Sequence, residues 1–384
     1  MKASAFLYPW DVVGDPDAPA RIADLGVGQV TLASAYHSTR ALTPRHPRHR
    51  VVTAEHAALL YPPDEPYWRG RELRPHAAGS WAPGDAFGRA AQALAAAGLD
   101  VHSWVVLAHN SRLGADHPET SVVNAYGDRY PWAPCIAQPR VRAHLVALAA
   151  EAAVRPGASG TELESCGWYG LAHLHAHDKI AGVALDGTAQ YLMSLCFCSS
   201  CAQGYAQVGL DMRELKDRVR RALEPVWRGG PAADPLVEAG GELLAATLAF
   251  RTRVARELQE SAVAAVRERA GAGFQVLLHA DPRPDRCGAD AGADPAHVLG
   301  VADGVVVPCA AGPELLDPFA ACAAPGAVLA ANLTVVSGMG GRPEALADDA
   351  ARAAAHGATQ LRLYHAGLAS DTDLERIRRS GALG

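Results

Sequence analysis

The stretch DAFGRAAQALAAAGLDVHSWVVLA, residues 85–108, decides how the fold is read. Its first part, Asp85–Ala97, reads as a helix, and Val101–Ala108 reads as an apolar strand run. A helix feeding a short, continuously apolar strand is the unit of a parallel sheet covered on its outer face. The same alternation extends in both directions. Eight runs recur: Ala3–Tyr8, Gln29–Ala35, Val101–Ala108, Gly160–Glu164, Phe274–His279, Gly304–Pro308, Val328–Leu333 and Gln360–Tyr364. Helical patterns stand between many of them, at Pro19–Gly26, Asp85–Ala97, Arg140–Ala153, Met212–Trp227, Glu238–Ala270 and Arg342–His356. Eight such repeats predict an α/β protein, a (β/α)8 TIM barrel formed as a single domain over residues 1–384. An open doubly wound sheet is the alternative. It is disfavoured because no Gly-rich turn follows the first run.

Three segments, about 38–83, 109–137 and 165–204, are too long for plain connections. They follow runs two, three and four, so they are expected at the C-terminal face, where such barrels keep their chemistry.

Composition narrows the function. The chain has 384 residues, 49% hydrophobic and 20% charged, with a net charge of -6. Neither blocks of basic residues nor a high pI points to a nucleic acid. No run of 18 apolar residues suggests a membrane span. The N-terminus turns polar too soon for a signal peptide, so a cytoplasmic location is expected. A homo-oligomer is compatible with all of this.

Eight cysteines without a secretion signal fit a reducing compartment, where clustered thiols bind metal. Cys196, Cys198 and Cys201 form a C-x-C-x2-C cluster, with Cys135 standing 61 residues before it. Four thiolates satisfy a tetrahedral Zn²⁺ at about 2.3 Å each and leave no position open for water. The expected metal is therefore a structural Zn²⁺, with no organic cofactor. Cys166, Cys287, Cys309 and Cys322 are expected to be free.

The chemistry must come from elsewhere. Glu164 ends the fourth run, and Cys166, Trp168 and Tyr169 could supply the apolar walls that raise a carboxylic acid's pKa. Glu162 points to the same side two residues deeper, as a structural ion-pair partner. Asp281, after the fifth run, is the expected second carboxylate. Polar and aromatic residues cluster at other strand ends: Tyr8 and Trp10, Tyr36 and His37, His109 and Asn110, His279, Asn332, and Tyr364 with His365. That mixture suits a carbohydrate substrate. Asp186 reads as a turn residue, His173, His175 and His177 as a loop, and Gly338-Met339-Gly340-Gly341 as a glycine turn.

The cysteine pattern, set behind a glutamate that ends the fourth strand, resembles the zinc site of family 42 glycoside hydrolases. These are β-galactosidases built on a (β/α)8 barrel. The segment Cys135-Ile136-Ala137-Gln138-Pro139-Arg140-Val141-Arg142 resembles their Cys-Pro-x-x-Pro-x-x-Arg element, and the likeness spans about residues 100–205. The resemblance implies that Glu164 is the general acid/base and that Cys135, Cys196, Cys198 and Cys201 hold zinc. Two departures stand against whole transfer. Leu163-Glu164 replaces the family's Asn-Glu pair, and Val328–Val336 carries Asn332 but no strand-seven glutamate. A glycosidase-like hydrolase acting on a small glycoside or sugar conjugate is the first reading. A sugar lyase or isomerase using Glu164 with His279 or His365, or a catalytically silent carbohydrate-binding barrel, are the others.

Overall fold

The computed structural model describes residues 1–171, 178–232 and 242–383. Eight parallel strands close into a barrel. They are β1 (Lys2–Leu7), β2 (Gln29–Tyr36), β3 (Asp100–Val106), β4 (Gly160–Glu164), β5 (Gln275–Asp281), β6 (Gly304–Pro308), β7 (Val328–Thr334) and β8 (Gln360–Tyr364). Closure is explicit in the register. β1 pairs with β2 over Ser4–Leu7 and with β8 over Lys2–Ala5. Each expected run became a strand, with ends moved by no more than two residues.

Alternation along the strands sorts the two faces of the barrel wall. Ala5, Leu7, Val30, Leu32, Val105, Leu163, Leu278, Val305, Leu329 and Leu361 belong to the large core under the outer helices. The helices Ala86–Ala96, Pro139–Ala153, Glu242–Arg269, Leu346–Ala355 and Asp371–Arg379 contribute to that outer shell. Leu277, Val306, Val328 and Ala330 fill one part of the lumen. Phe6, Ala33 and Trp104 belong to a second inner cluster that rises toward the C-terminal rim.

The rest of the lumen is polar. Arg362 and Glu162 are both fully buried, with Nε donating to Oε1 at 2.6 Å. Thr31 donates to the same Oε1 at 3.0 Å, and Ser4 meets Thr31 at 2.9 Å. Burial opposes the Glu162 charge, but Arg362 and His279 overcome it and hold the carboxyl down at about 2. The ion-pair role expected for Glu162 is what the structure shows.

The three long segments are not structureless. The first carries the antiparallel hairpin Thr39–Leu42/Val51–Ala54, and the second pairs Ser121–Val123 with Arg129–Pro134. The third holds the helices Gly187–Met193 and Ser199–Gln207. Asp186 caps the first of these, accepting from the Ala189 N–H at 2.7 Å. His173, His175 and His177 lie outside the described residues. No helix among the described residues is long and apolar enough to cross a membrane.

The lumen pair makes a stability prediction. Arg362→Met strands the Glu162 charge at the barrel centre and should cost about 3–5 kcal/mol. Arg362→Met with Glu162→Leu should cost clearly less, because no charge is left behind. Urea unfolding of the two variants and Glu162→Leu as a double-mutant cycle measures the difference. A double-variant loss equal to the sum of the two single losses would show that the pair is not coupled.

Candidate active site and cysteine cluster

The C-terminal end of β4 is held in an unusual backbone geometry. Ser165, directly after Glu164, has φ +55°, the single left-handed non-glycine among the described residues. Such a residue costs about 1–2 kcal/mol and persists only where its surroundings over-determine it. Here the Ser165 N–H donates to the Ala289 carbonyl at 2.8 Å, and the Ala108 N–H donates to the Ser165 carbonyl at 3.2 Å. Gly167 lies so close to Ala291 that a Cβ would come within 2.6 Å of that methyl. The loops after β4 and β5 are thereby sewn together, and Asp290 is delivered to the neighbourhood of Glu164.

Glu164 is buried, with only 7% of its surface exposed. Its Oε2 accepts from the Trp104 indole N–H at 2.7 Å. Burial pushes its carboxyl up, the His279 charge pulls it down, Asp290 pushes it up again, and the result is about 7. Glu164 can therefore carry a proton near neutrality.

His279 is the hinge of the local charge pattern. Its Nε2 faces Glu162 at 3.5 Å and its Nδ1 faces Asp290 at 3.5 Å. Burial disfavours the imidazolium, but Asp290, Glu162 and Glu164 outweigh it and raise the ring to about 10. His279 thus lies between carboxylates that favour its charged form.

Aromatic groups ring the mouth. Phe6 packs edge-on to Trp104 at 4.7 Å. The Tyr8 hydroxyl donates to the Tyr36 hydroxyl at 3.0 Å, and Tyr8 stacks on His365 at 4.3 Å and on Trp10 at 4.6 Å. The circle continues through Tyr36–His37 at 4.2 Å, His37–His109 at 4.4 Å and His109–Tyr169 at 4.6 Å. Tyr364 lies 5.5 Å from Phe6, and its phenol is raised to about 12, by burial first and then by Glu164. Several buried polar atoms here have no hydrogen-bond partner among the described residues: Trp10 Nε1, Asp11 Oδ1, Asn332 Oδ1, and both ring nitrogens of His365. Burial pushes the Asp11 carboxyl up to about 7 and holds the His365 ring down at about 3.

The structure gathers Tyr8, Trp10, Tyr36, His37, His109, Glu164, His279, Tyr364 and His365 into one contact network. Three expected residues are engaged differently. Asp281 is clamped by Arg283, whose N–H and Nε both donate to Oδ1 at 2.9 Å, and by Arg286 at 3.6 Å. The carboxylates that act on Glu164 are Asp290 first and then Glu162. Asn110 caps the helix Ser111–Asp116 by accepting from the Leu113 N–H at 2.9 Å. The Trp168 indole donates to the Arg251 carbonyl at 2.8 Å, and its ring lies 4.8 Å from that guanidinium. Asp290 sits in Gly288-Ala289-Asp290-Ala291-Gly292, an acid among small residues, which was the one signal available for it.

The sulfurs of Cys135, Cys196, Cys198 and Cys201 lie within 4.8 Å of one another. Cys135 Sγ is 3.7 Å from Cys198 Sγ and 3.5 Å from Cys201 Sγ. Four sulfurs bound tetrahedrally at about 2.3 Å stand about 3.8 Å apart, so these spacings fit a metal-sized centre. The Val123 N–H donates to Cys196 Sγ at 3.4 Å, the kind of outer contact that orients a thiolate ligand. The cluster ties the hairpin of the second long segment to the third.

No family model and no curated protein sequence matches this chain. Solved structures do match in fold. An α-L-fucosidase isoenzyme 2 from Paenibacillus thiaminolyticus aligns with TM-score 0.58 at 12% identity, over 99% of this chain and 49% of that one. The catalytic domain of a β-amylase from Paenibacillus polymyxa aligns at 0.57 and 12%, over 99% and 97%. A GH42 β-galactosidase from G. stearothermophilus aligns at 0.57 and 11%, over 100% and 56%. The chain thus spans about half the length of the fucosidase and the galactosidase. At these identities the likeness is one of fold: the TIM barrel that these proteins share with this chain.

The raised carboxyl of Glu164 predicts a pH-dependent stability. Between its ordinary 4.5 and about 7, the folded chain holds a proton that the unfolded chain releases. Stability contributed by this group therefore falls as pH rises through that window. Glu164→Gln removes the penalty, so the variant should gain on the wild type by up to about 3 kcal/mol between pH 4.5 and 8. Denaturant midpoints across that range test it. A pH-independent difference would show that Glu164 titrates normally.

Proposed function

We propose that this barrel is a glycoside hydrolase in which Glu164 protonates the departing glycosidic oxygen and Asp290 supplies the second carboxylate. The observation that carries this reading is the pairing of environments. One carboxyl is buried under an indole N–H with its pKa raised to about 7, and the other faces His279 Nδ1 at 3.5 Å. A carboxyl able to hold a proton near neutrality, with a second carboxyl at the same mouth, is what acid-assisted glycoside cleavage requires. The glycosidase fold of the structural neighbours supports a carbohydrate substrate. So do the aromatic ring and the unpartnered polar atoms of Trp10, Asn332 and His365, which sugar hydroxyls would satisfy.

Asp290 comes from the loop after β5, whereas β7 presents Asn332. Asp290 acts as nucleophile if the two carboxyl groups work about 5 Å apart, and as base toward a water if they work about 6.5–9.5 Å apart. The anomer first released, read by proton NMR, assigns the role. A lyase or isomerase would need a base at the same mouth. His279 is unsuited because it is held as the cation, which leaves His365 for that alternative.

Glu164→Gln should lower turnover of a glycoside with a poor leaving group by roughly 10²–10⁴-fold. It should affect an activated aryl glycoside far less. Asp290→Asn should damage both substrates, because its work does not depend on the leaving group. Small and equal losses in the two variants on a panel of aryl and alkyl glycosides would overturn the assignment.

The cysteine cluster, in this reading, holds a structural Zn²⁺ on Cys135, Cys196, Cys198 and Cys201, which fits a closed site of four sulfurs. Protein purified without added metal should contain close to one equivalent of zinc. Cys198→Ser should lower the melting temperature while leaving kcat of the surviving enzyme little changed. Elemental analysis that finds no metal would refute the site.

A further inference from the structure

The hairpin Thr39–Leu42/Val51–Ala54 has two unlike faces. Ala41, Val52 and Ala54 are buried and share a core with Tyr8, Trp10, Tyr36 and Trp104. Arg45 fastens its tip to the barrel, donating to the carbonyls of Ala366 at 3.2 Å and Gly367 at 3.0 Å, just beyond His365. The hairpin therefore stands on the active-site rim between the ends of β2 and β8. Its other face looks outward and carries Arg40, Leu42, Arg48, Arg50, Val51 and Thr53, all exposed.

The charge of that outer face is one-sided. Residues 38–54 contain four arginines and no acid, on a chain whose net charge is -6. Asp11, Asp15 and Asp371 act on the half-buried anchor Arg45, which leaves Arg40, Arg48 and Arg50 as the outward charges. Among the described residues none of these three has a carboxylate within 4 Å; other exposed arginines, such as Arg129, Arg213 and Arg221, also stand unpaired, but here three share one rim hairpin without an acid among them. Arg50 is oriented by the carbonyls of His46 and His49. Between the arginines, Leu42 and Val51 are cross-strand partners and are 61% and 53% exposed.

We propose that this hairpin is a docking surface for an anionic glycan, a sugar chain bearing carboxylate or sulfate groups, which it feeds to the mouth at Glu164. The inference rests on the glycoside-hydrolase reading for its direction toward a glycan. Guanidinium forks match carboxylate and sulfate oxygens in pairs, and unpaired arginines on a rim raise the local concentration of an anionic substrate. The Leu42/Val51 pair offers an apolar floor for the C–H face of a sugar ring. A single-stranded nucleic acid would call for several aromatic platforms, whereas the hairpin turn offers only the half-buried His49, whose ring is already stacked on His46 at 3.6 Å.

The test is equilibrium binding of an oligogalacturonate and of its fully methyl-esterified form, by the intact chain, at two salt concentrations. The acid form should bind, and its affinity should fall as salt is raised. Arg40→Ser/Arg48→Ser/Arg50→Ser should weaken it about tenfold and flatten the salt dependence, with an unchanged melting temperature because all three residues are exposed. Equal binding of acid and ester, or full affinity in the triple variant, would overturn the proposal. So would equally tight binding of an oligonucleotide of the same charge, which would mark an unselective polyanion surface. Salt-dependent binding of the acid form without cleavage keeps the docking surface and rejects the hydrolase. Glu164-dependent cleavage of neutral glycosides, with no preference for the acid form, does the reverse.

Discussion

The buried pairing of Arg362 with Glu162 is the constraint on which the site depends. Both side chains are fully buried in the lumen, where an isolated charge would be expensive. Each therefore fixes the other, and Thr31 secures Glu162 further. Glu162 then presents its remaining oxygen to His279, and that oxygen helps to hold the imidazole as a cation. The same cation faces Asp290 on its other nitrogen and limits how far burial can raise Glu164. The proton on Glu164 is thus set by a chain of charges that begins well below the mouth.

The loops complete what the strands begin. Asp281 fixes the start of the β5 loop through Arg283, and its carbonyl accepts the Ala293 N–H at 2.9 Å, closing the loop on itself. The bond from Ser165 to Ala289 then aims the middle of that loop at β4. Farther out, the cysteine cluster joins the second and third long segments, which have no broad sheet of their own. These devices order long connections, whose conformational entropy would otherwise oppose a fixed arrangement of side chains.

The barrel was legible because buried parallel strands are written as continuous apolar runs, and this chain keeps all eight. Glu164 was legible as an acid at a strand end, and the cysteine cluster as a spacing that accident rarely makes. Asp290 was not. It lies in an irregular loop, and only the left-handed turn at Ser165, a tertiary effect, brings it to Glu164. Asp281 at a strand end reads equally as catalyst or clamp in the sequence, and the structure shows it held by its arginines. Asn110 likewise reads as a helix cap or a sugar ligand, and the structure shows the cap.

The charge count of the lumen also accounts for the asparagine on β7. Around Glu164 the centre gathers two basic groups, Arg362 and His279, and two further carboxyls, Glu162 and Asp290. A carboxylate at Asn332 would join them without a further basic group, and repulsion would drive further protons onto the acids already there. Asn332 keeps a similar shape and a hydrogen-bonding oxygen without that charge. In the proposed function the second carboxylate lies on the β5 loop, with Asp290 3.5 Å from His279 Nδ1. The cation that stabilises Asp290 is the one that Glu162 and Arg362 already hold in position.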